Sequence, residues 1–229
     1  MYKPLVSSAP ALSILNAQAF HYTSSAETDI RKTFARVQRG TAFAPPGILV
    51  RPHSDPAAIR AAVVLRDGTA VQLRAIRPDD KERLRIAFER LSRRSVYRRF
   101  LHSVTALTPN TLRQLTELDF CDHVGLVLST EDETGEQLIA VGRFVRVAPR
   151  SERAEFAITV ADEYQNRGAG TLLLQRLVDI ARAGGVREFV AYVLEDNREM
   201  LEVIRRTKLP CRQTSEDGVR LVVVSLVED

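Results

Sequence analysis

The run from Ala154 to Gly185 constrains the fold more than any other part of the chain. It reads AEFAITV, then ADEYQNRGAG, then TLLLQRLVDIARAGG. An alternating segment leads into a glycine loop, and the loop opens directly into an apolar-periodic segment. Leu172, Leu173, Leu177, Ile180 and Ala181 recur at helical spacing, which predicts a helix that Gly184-Gly185 stops. The loop therefore stands at a helix N-terminus. There the backbone N–H groups lack intrahelical partners and the macrodipole places partial positive charge. Gly168 and Gly170 carry no side chain to hold a ligand off that backbone. Such a place binds anions, phosphates above all.

Spacing excludes two familiar phosphate loops. No lysine followed by Ser or Thr comes after the glycines, so the Walker-type loop is absent. Only two glycines are suitably placed, so the three-glycine dinucleotide fingerprint is not met. What remains is Gln165-x-x-Gly168-x-Gly170 after a strand. On those six residues alone, a turn that merely joins strand to helix is an equal alternative.

The compact region is expected over 59–229, preceded by a loosely ordered extension over 1–58 that is rich in Ala, Ser, Thr and Pro. One short basic helix over 30–39 is the exception there, and a docking or lid segment is the alternative role. AAVVLRDGTAVQLRAI reads as two strands joined at Asp67-Gly68. Asp79, with Glu82 three residues on, predicts a capping box for a helix that buries Leu84, Ala87, Phe88 and Leu91. From Lys81 to Arg99 there are eight Lys or Arg against two Glu. That run is either a solvated face or a patch for an acidic surface or a phosphate. Within it, Tyr97 and Phe100 are expected as packing anchors. Thr108-Pro109 starts another helix, with Leu112, Leu115 and Leu118 on its core side. HVGLVLST, QLIAVGRFVRV and AEFAITV form a meander. VREFVAYVL follows the central helix and should lie parallel to AEFAITV. DNREMLEVIRR is a short helix, and a hairpin across Asp217-Gly218 closes the chain. The layout is a mixed sheet with helices on both faces, α/β or α+β.

Net charge is +4, which suits an anionic ligand without demanding nucleic acid. No nucleic-acid motif, membrane-length apolar run or convincing signal peptide is present in the sequence. Cys121 and Cys211 have no metal spacing and read as buried thiols of a cytoplasmic protein. No metal is expected.

The glycine signature, in its place after a strand, resembles that of the GNAT acetyltransferases. The order of elements from about Val63 onward is similar to that fold: strand, two helices, three-stranded meander, central helix, strand, helix, hairpin. SVYRRFL, AEFAITVADEYQNRGAG and VLEDNREML resemble the bacterial protein-lysine acetyltransferases. The resemblance implies a mostly antiparallel sheet in which two parallel strands splay apart. It also implies acetyl transfer from acetyl-CoA to an amine, possible acceptors being protein lysines or a small-molecule amine. A non-catalytic acyl-CoA-binding regulatory module is the rival of another class. The pyrophosphate would rest on the backbone of Arg167, Gly168, Ala169, Gly170 and Thr171, with Gln165 and Asn166 shaping the approach. The pantetheine arm would pair with Ile158, Thr159 and Val160, and Asn197 would lie near the thioester.

Amine acetylation needs a base, because a lysine is mostly protonated at neutral pH. Glu155 is the first candidate; it shares a strand face with Ala157 and Thr159, and burial would raise its pKa usefully. His123 is the second. The Val160 N–H is the expected oxyanion donor. Two family features are missing: Ile204 stands where many members carry a Tyr acid, and Lys208-Leu209 replaces Gly-Phe.

Overall fold

The computed structural model describes residues 56–227. The expected extension, with its helix over 30–39, lies outside the described residues apart from its last three positions. Those form a single 3-10 turn, Pro56–Ala58. β1 (Arg60–Val64) and β2 (Ala70–Ala75) pair across the expected turn. Asp67 accepts from the Thr69 N–H at 3.1 Å and from its hydroxyl at 2.9 Å. Gly68 takes a φ of +88°, where a Cβ would be strained.

The next helix departs from expectation. Pro78–Asp80 forms a 3-10 turn and α1 spans Lys81–Glu89, so Asp79 and Glu82 form no capping box. The competing attraction is a buried cation. Arg74 on β2 is 4% exposed and Asp80 0%. Asp80 accepts from both Nη atoms of Arg74, at 2.7 and 2.8 Å, and from the Arg77 N–H at 2.8 Å. A buried guanidinium without such a partner is very costly, so the carboxylate turns inward. Arg74 also donates to Glu136 at 2.7 Å. Its hydrogen bond holds the Glu136 carboxyl down at about 2 against the effect of burial.

α2 (Arg93–Phe100) and α3 (Pro109–Thr116) follow. Ser92 and Thr108 cap them, accepting from the N–H groups of Ser95 at 3.2 Å and Thr111 at 3.1 Å. Phe100 packs edge-on to Phe88 at 5.9 Å. Tyr97 does not act as an anchor: it is 36% exposed, because α2 buries the side that carries Val96.

β3 (His123–Asp132), β4 (Gly135–Arg146) and β5 (Arg153–Val160) form the meander. α4 (Ala169–Ala183) leads to β6 (Glu188–Leu194), α5 (Arg198–Arg205), and the hairpin of β7 (Cys211–Glu216) and β8 (Val219–Ser225). The sheet order is β1-β2-β3-β4-β5-β6-β8-β7. Only β5 and β6 are parallel neighbours, so the sheet is mixed and mostly antiparallel, as expected. α4 covers one face. Gly142 allows this: a Cβ there would stand 3.2 Å from Leu173 Cβ and 3.1 Å from Leu177 Cδ1. Beneath it the Phe189 ring lies 5.4 Å from Phe144 and 5.2 Å from Phe156. Leu84, Phe88, Leu112 and Leu115 of α1–α3 are buried on the other face. The cysteines are unpaired, and Cys211 is exposed rather than buried because β7 is an edge strand whose residues are all exposed. Among the described residues no helix is long and apolar enough to cross a membrane.

Candidate functional site

The site begins where two parallel strands part. β5 and β6 pair only over Arg153–Glu188, Ala154–Phe189 and Glu155–Val190. Beyond that point they diverge. The Ala161 N–H donates to Ile139 and the Arg153 C=O accepts from Val147. Odd-numbered backbone groups of β5 therefore face β4, and even-numbered ones face β6. Past the last pair, the N–H groups of Ile158 and Val160 point into the wedge. Such an edge accepts a strand-like ligand.

The wedge leads to the α4 N-terminus. Gly168 is the N-cap, with a φ of +96°, and Asn166 has a φ of +62°. Together they turn the loop so that the N–H groups of the first helical turn face the cleft. Gly170 is buried against α5, where a Cβ would meet Val203 Cγ2 at 3.2 Å. A cleft of about 390 Å³ runs along loop and wedge. Ile158, Thr159, Val160, Gln165, Asn166, Gly168, Gly170, Thr171 and Asn197 all line it. Ala169 is buried behind it. The Arg167 side chain turns away to Asp67, at 2.7 Å, and over the Tyr164 ring, at 5.1 Å. Glu155 does not line the cleft, whose β5 lining begins at Phe156; it stands one residue before, at the vertex where β5 still pairs with β6.

Gln165 does more than shape an approach. Its Nε2 donates to Val160 O at 3.2 Å and to Ser95 Oγ at 3.2 Å. Asp162 accepts from the Ser92 N–H and hydroxyl, each at 2.9 Å, and from the Ser95 hydroxyl at 2.7 Å. Burial pushes the Asp162 carboxyl up, but these hydrogen bonds outweigh it and hold it below its ordinary value. The latch fixes the start of α2 to the end of β5, which brings Arg98 and Arg99 to the cleft. The basic run thus divides. Arg85 pairs with Glu82 and Glu89 of its own helix, Arg94 stays 66% exposed, and the last two arginines turn inward.

Sequence reasoning missed Arg66. It follows β1, its N–H donates to Arg167 O at 3.0 Å, and its Nε would stand 3.3 Å from a Cβ on Gly168. The hairpin thus places a cation over the glycine loop, and only three-dimensional pairing reveals it. Arg98 is held by Glu199 at 3.1 Å and Arg206 by Glu202 at 2.6 Å. Asn197 caps α5, its Oδ1 accepting from Met200 N at 3.2 Å, so its amide NH₂ is the part that can reach a ligand. Ile204 is 2% exposed, so no hydroxyl reaches the cleft there. The phenols that line it belong to Tyr164 and Tyr192.

Register places His123, Val145, Glu155 and Val190 in one row across the sheet, on the α1–α3 face. Tyr192 shares that face. The Glu155 charge raises the Arg99 pKa, though burial lowers it more. Burial and the charges of Arg143 and Arg99 press the His123 pKa down to about 3. A group so hard to protonate is a poor base at neutral pH, which argues against His123 in that role. It also fixes a pH dependence. Folded His123 stays neutral between about 6.5 and 3, whereas the unfolded chain protonates it below about 6.5. Stability from this group is complete above 6.5 and is lost as pH falls, by up to ~1.4 kcal/mol per unit. Urea titrations at pH 7 and 5.5, above most carboxylate titration, should show a drop that His123→Asn removes.

A helix N-terminus offers N–H groups to a phosphate and an open strand edge offers them to an amide-bearing arm, so the cleft has the chemistry to take an acyl-carrying nucleotide conjugate. Comparison with known proteins identifies the family. The acetyltransferase (GNAT) family model matches residues 89–207. Acetyltransferase Pat of Mycolicibacterium smegmatis is 40% identical over 144 residues, 63% of this chain and 42% of Pat. Acetyltransferase PA5475 of Pseudomonas aeruginosa is 30% identical over 158 residues, 69% of this chain and 84% of that protein. The solved GNAT domain of S. lividans PAT superposes with a TM-score of 0.69 at 34% identity, covering 75% of this chain and 99% of that one. The chain thus spans less than half the length of Pat and most of PA5475. It belongs to the GNAT acetyltransferase family, whose members use acetyl-CoA.

Proposed function

We propose that this chain transfers the acetyl group of acetyl-CoA to the side-chain amine of a protein lysine. The observation that carries the reading is the continuity of the α4 N-terminus with the unpaired β5 edge in one cleft, with Glu155 next along the strand at the vertex. The likeness to Pat, and to the protein-lysine acetyltransferases in SVYRRFL and VLEDNREML, supports a lysine acceptor. Arg94 on α2 is 66% exposed and only loosely paired with Asp196 at 3.8 Å, which leaves it able to meet an acidic surface around that lysine.

The residues divide the work along the strand. N–H groups of Gly168 to Thr171 hold the pyrophosphate, with Arg66 above them. The β5 edge from Ile158 to Val160 runs alongside the pantetheine arm. Glu155 takes the proton of the attacking amine, directly or through water. The oxyanion donor must lie near the same centre. Val160 is five residues from Glu155, roughly 17 Å along an extended strand, whereas Ile158 is roughly 10 Å away. We therefore assign the donor to the Ile158 N–H and leave the Val160 N–H to the arm. With Ile204 in the Tyr position, the leaving thiolate takes its proton from water.

The test is thermal stability with acetyl-CoA. Ligand at 100-fold its Kd should stabilise the chain by about 2.7 kcal/mol. Gly168→Glu should abolish that shift, because a carboxylate then occupies the phosphate position. No shift in the wild type with any acyl-CoA would overturn the reading.

A further inference from the structure

A second, smaller crevice lies between α1–α3 and the sheet. Its volume is about 60 Å³, and Ala157, Thr159 and Arg99 line both it and the main cleft. It is thus a side room of the cleft, on the Glu155 face of β5. Leu84, Phe88 and Leu115 form apolar walls, but Arg99 and Arg143 also line it. Two guanidiniums in an apolar room are expensive unless an anion joins them.

Among the described residues the local charges do not balance. Arg143 is 4% exposed. Its Nη2 donates to Leu115 O at 3.1 Å, and its Nη1 lies 3.4 Å from His123 Nε2. The His123 imidazole is neutral at ordinary pH. Glu155 acts on Arg99, whereas the charge acting on Arg143 is that of Arg99, which with burial depresses it to about 9. Among the described residues that line it or act on it, two guanidiniums face one carboxylate, which leaves one buried positive charge in excess. A helix-end carbonyl and a neutral ring satisfy hydrogen bonds without cancelling it.

We propose that this crevice is a carboxylate site, and that it receives the far end of a dicarboxylic acyl group, such as succinyl, carried on the thioester. The inference rests on the acyl-CoA reading above and extends it to the acyl group. The room opens beside Ala157 and Thr159, next to the vertex where the thioester carbon would lie. Its size suits a chain of two or three carbons ending in a carboxylate. The transfer keeps its bonds: C–N forms, C–S breaks, the amine proton goes to Glu155, and the thiolate leaves. The distal carboxylate takes no part except to bind Arg143 and Arg99.

Calorimetry on the full chain tests this with CoA, acetyl-CoA, butyryl-CoA and succinyl-CoA. Succinyl-CoA should bind at least about tenfold more tightly than butyryl-CoA, a difference of ~1.4 kcal/mol. Arg143→Met should erase that preference while CoA affinity stays unchanged. Arg99→Gln should weaken the preference and serves if Arg143→Met does not fold. Equal affinity of wild type for succinyl- and butyryl-CoA, with CoA still bound, would overturn this inference and leave the acetyl-CoA reading standing. A carboxylated amine that binds the acetyl-CoA-saturated protein through Arg143, with no succinyl preference, would assign the site to the acceptor and overturn it too. Failure to bind any CoA species would overturn both.

Discussion

Replacing Glu155 with glutamine should lower turnover on a lysine peptide by roughly 10²-fold or more, with acetyl-CoA affinity unchanged. The two readouts separate because the site does. The cofactor contacts fall on the backbone of β5 from Ile158 onward and on the α4 N-terminus. Glu155 lies behind them, where β5 still pairs with β6. Glutamine keeps the size and the strand position but has no lone pair basic enough to take the amine proton. Initial rates with peptide, paired with calorimetry for acetyl-CoA, would check it. Wild-type turnover in the variant would remove Glu155 from the base role.

The largest effect on stability should come from Asp80→Ala. Asp80 is the 0%-exposed partner of a 4%-exposed arginine, bound through two hydrogen bonds of 2.7 and 2.8 Å. Removing it strands a cation in the core and should cost about 3–5 kcal/mol, or roughly 6–20 °C in Tm for a domain of this size. Glu136 remains as a counter-charge, but it is partly exposed and reaches only the Arg74 Nε. The Arg74→Met, Asp80→Leu double variant should recover most of the loss, because it removes both charges together. Thermal and urea unfolding of the three proteins would decide. A single-variant loss below about 1 kcal/mol would mean that water or Glu136 compensates.

Much of the frame was legible because local signals and tertiary demands coincide. Asp67-Gly68 turns where a turn is needed, Thr108-Pro109 begins a helix, and alternation in AEFAITV puts Glu155 and Phe156 on opposite faces. The glycine loop declared its helix N-terminus before any contact was known. The failures share a physical origin: packing and burial outside the local pattern decided which way a side chain turned. Asp79 and Glu82 had the spacing of a cap, but the Arg74 charge drew Asp80 inward and delayed the helix. Tyr97 had the bulk of an anchor and lost to Val96. Gln165 carried a family role, yet its amide closes the Val160 carbonyl and grips α2. Arg66 and Arg143 gave no signal, since an arginine after a strand or within one reads as solvent-facing until the fold brings a loop or crevice to it.

The short seam between β5 and β6 has a mechanical consequence. Three residue pairs join the half of the sheet made by β1–β5 to the half made by β6–β8, and α4 bridges them from one side. A molecule seated in the wedge, as proposed, would hydrogen-bond to one half and pack on the other, the place of a keystone. On the proposed function, the sheet would be most nearly continuous with substrate aboard, and each turnover would open and close that seam again.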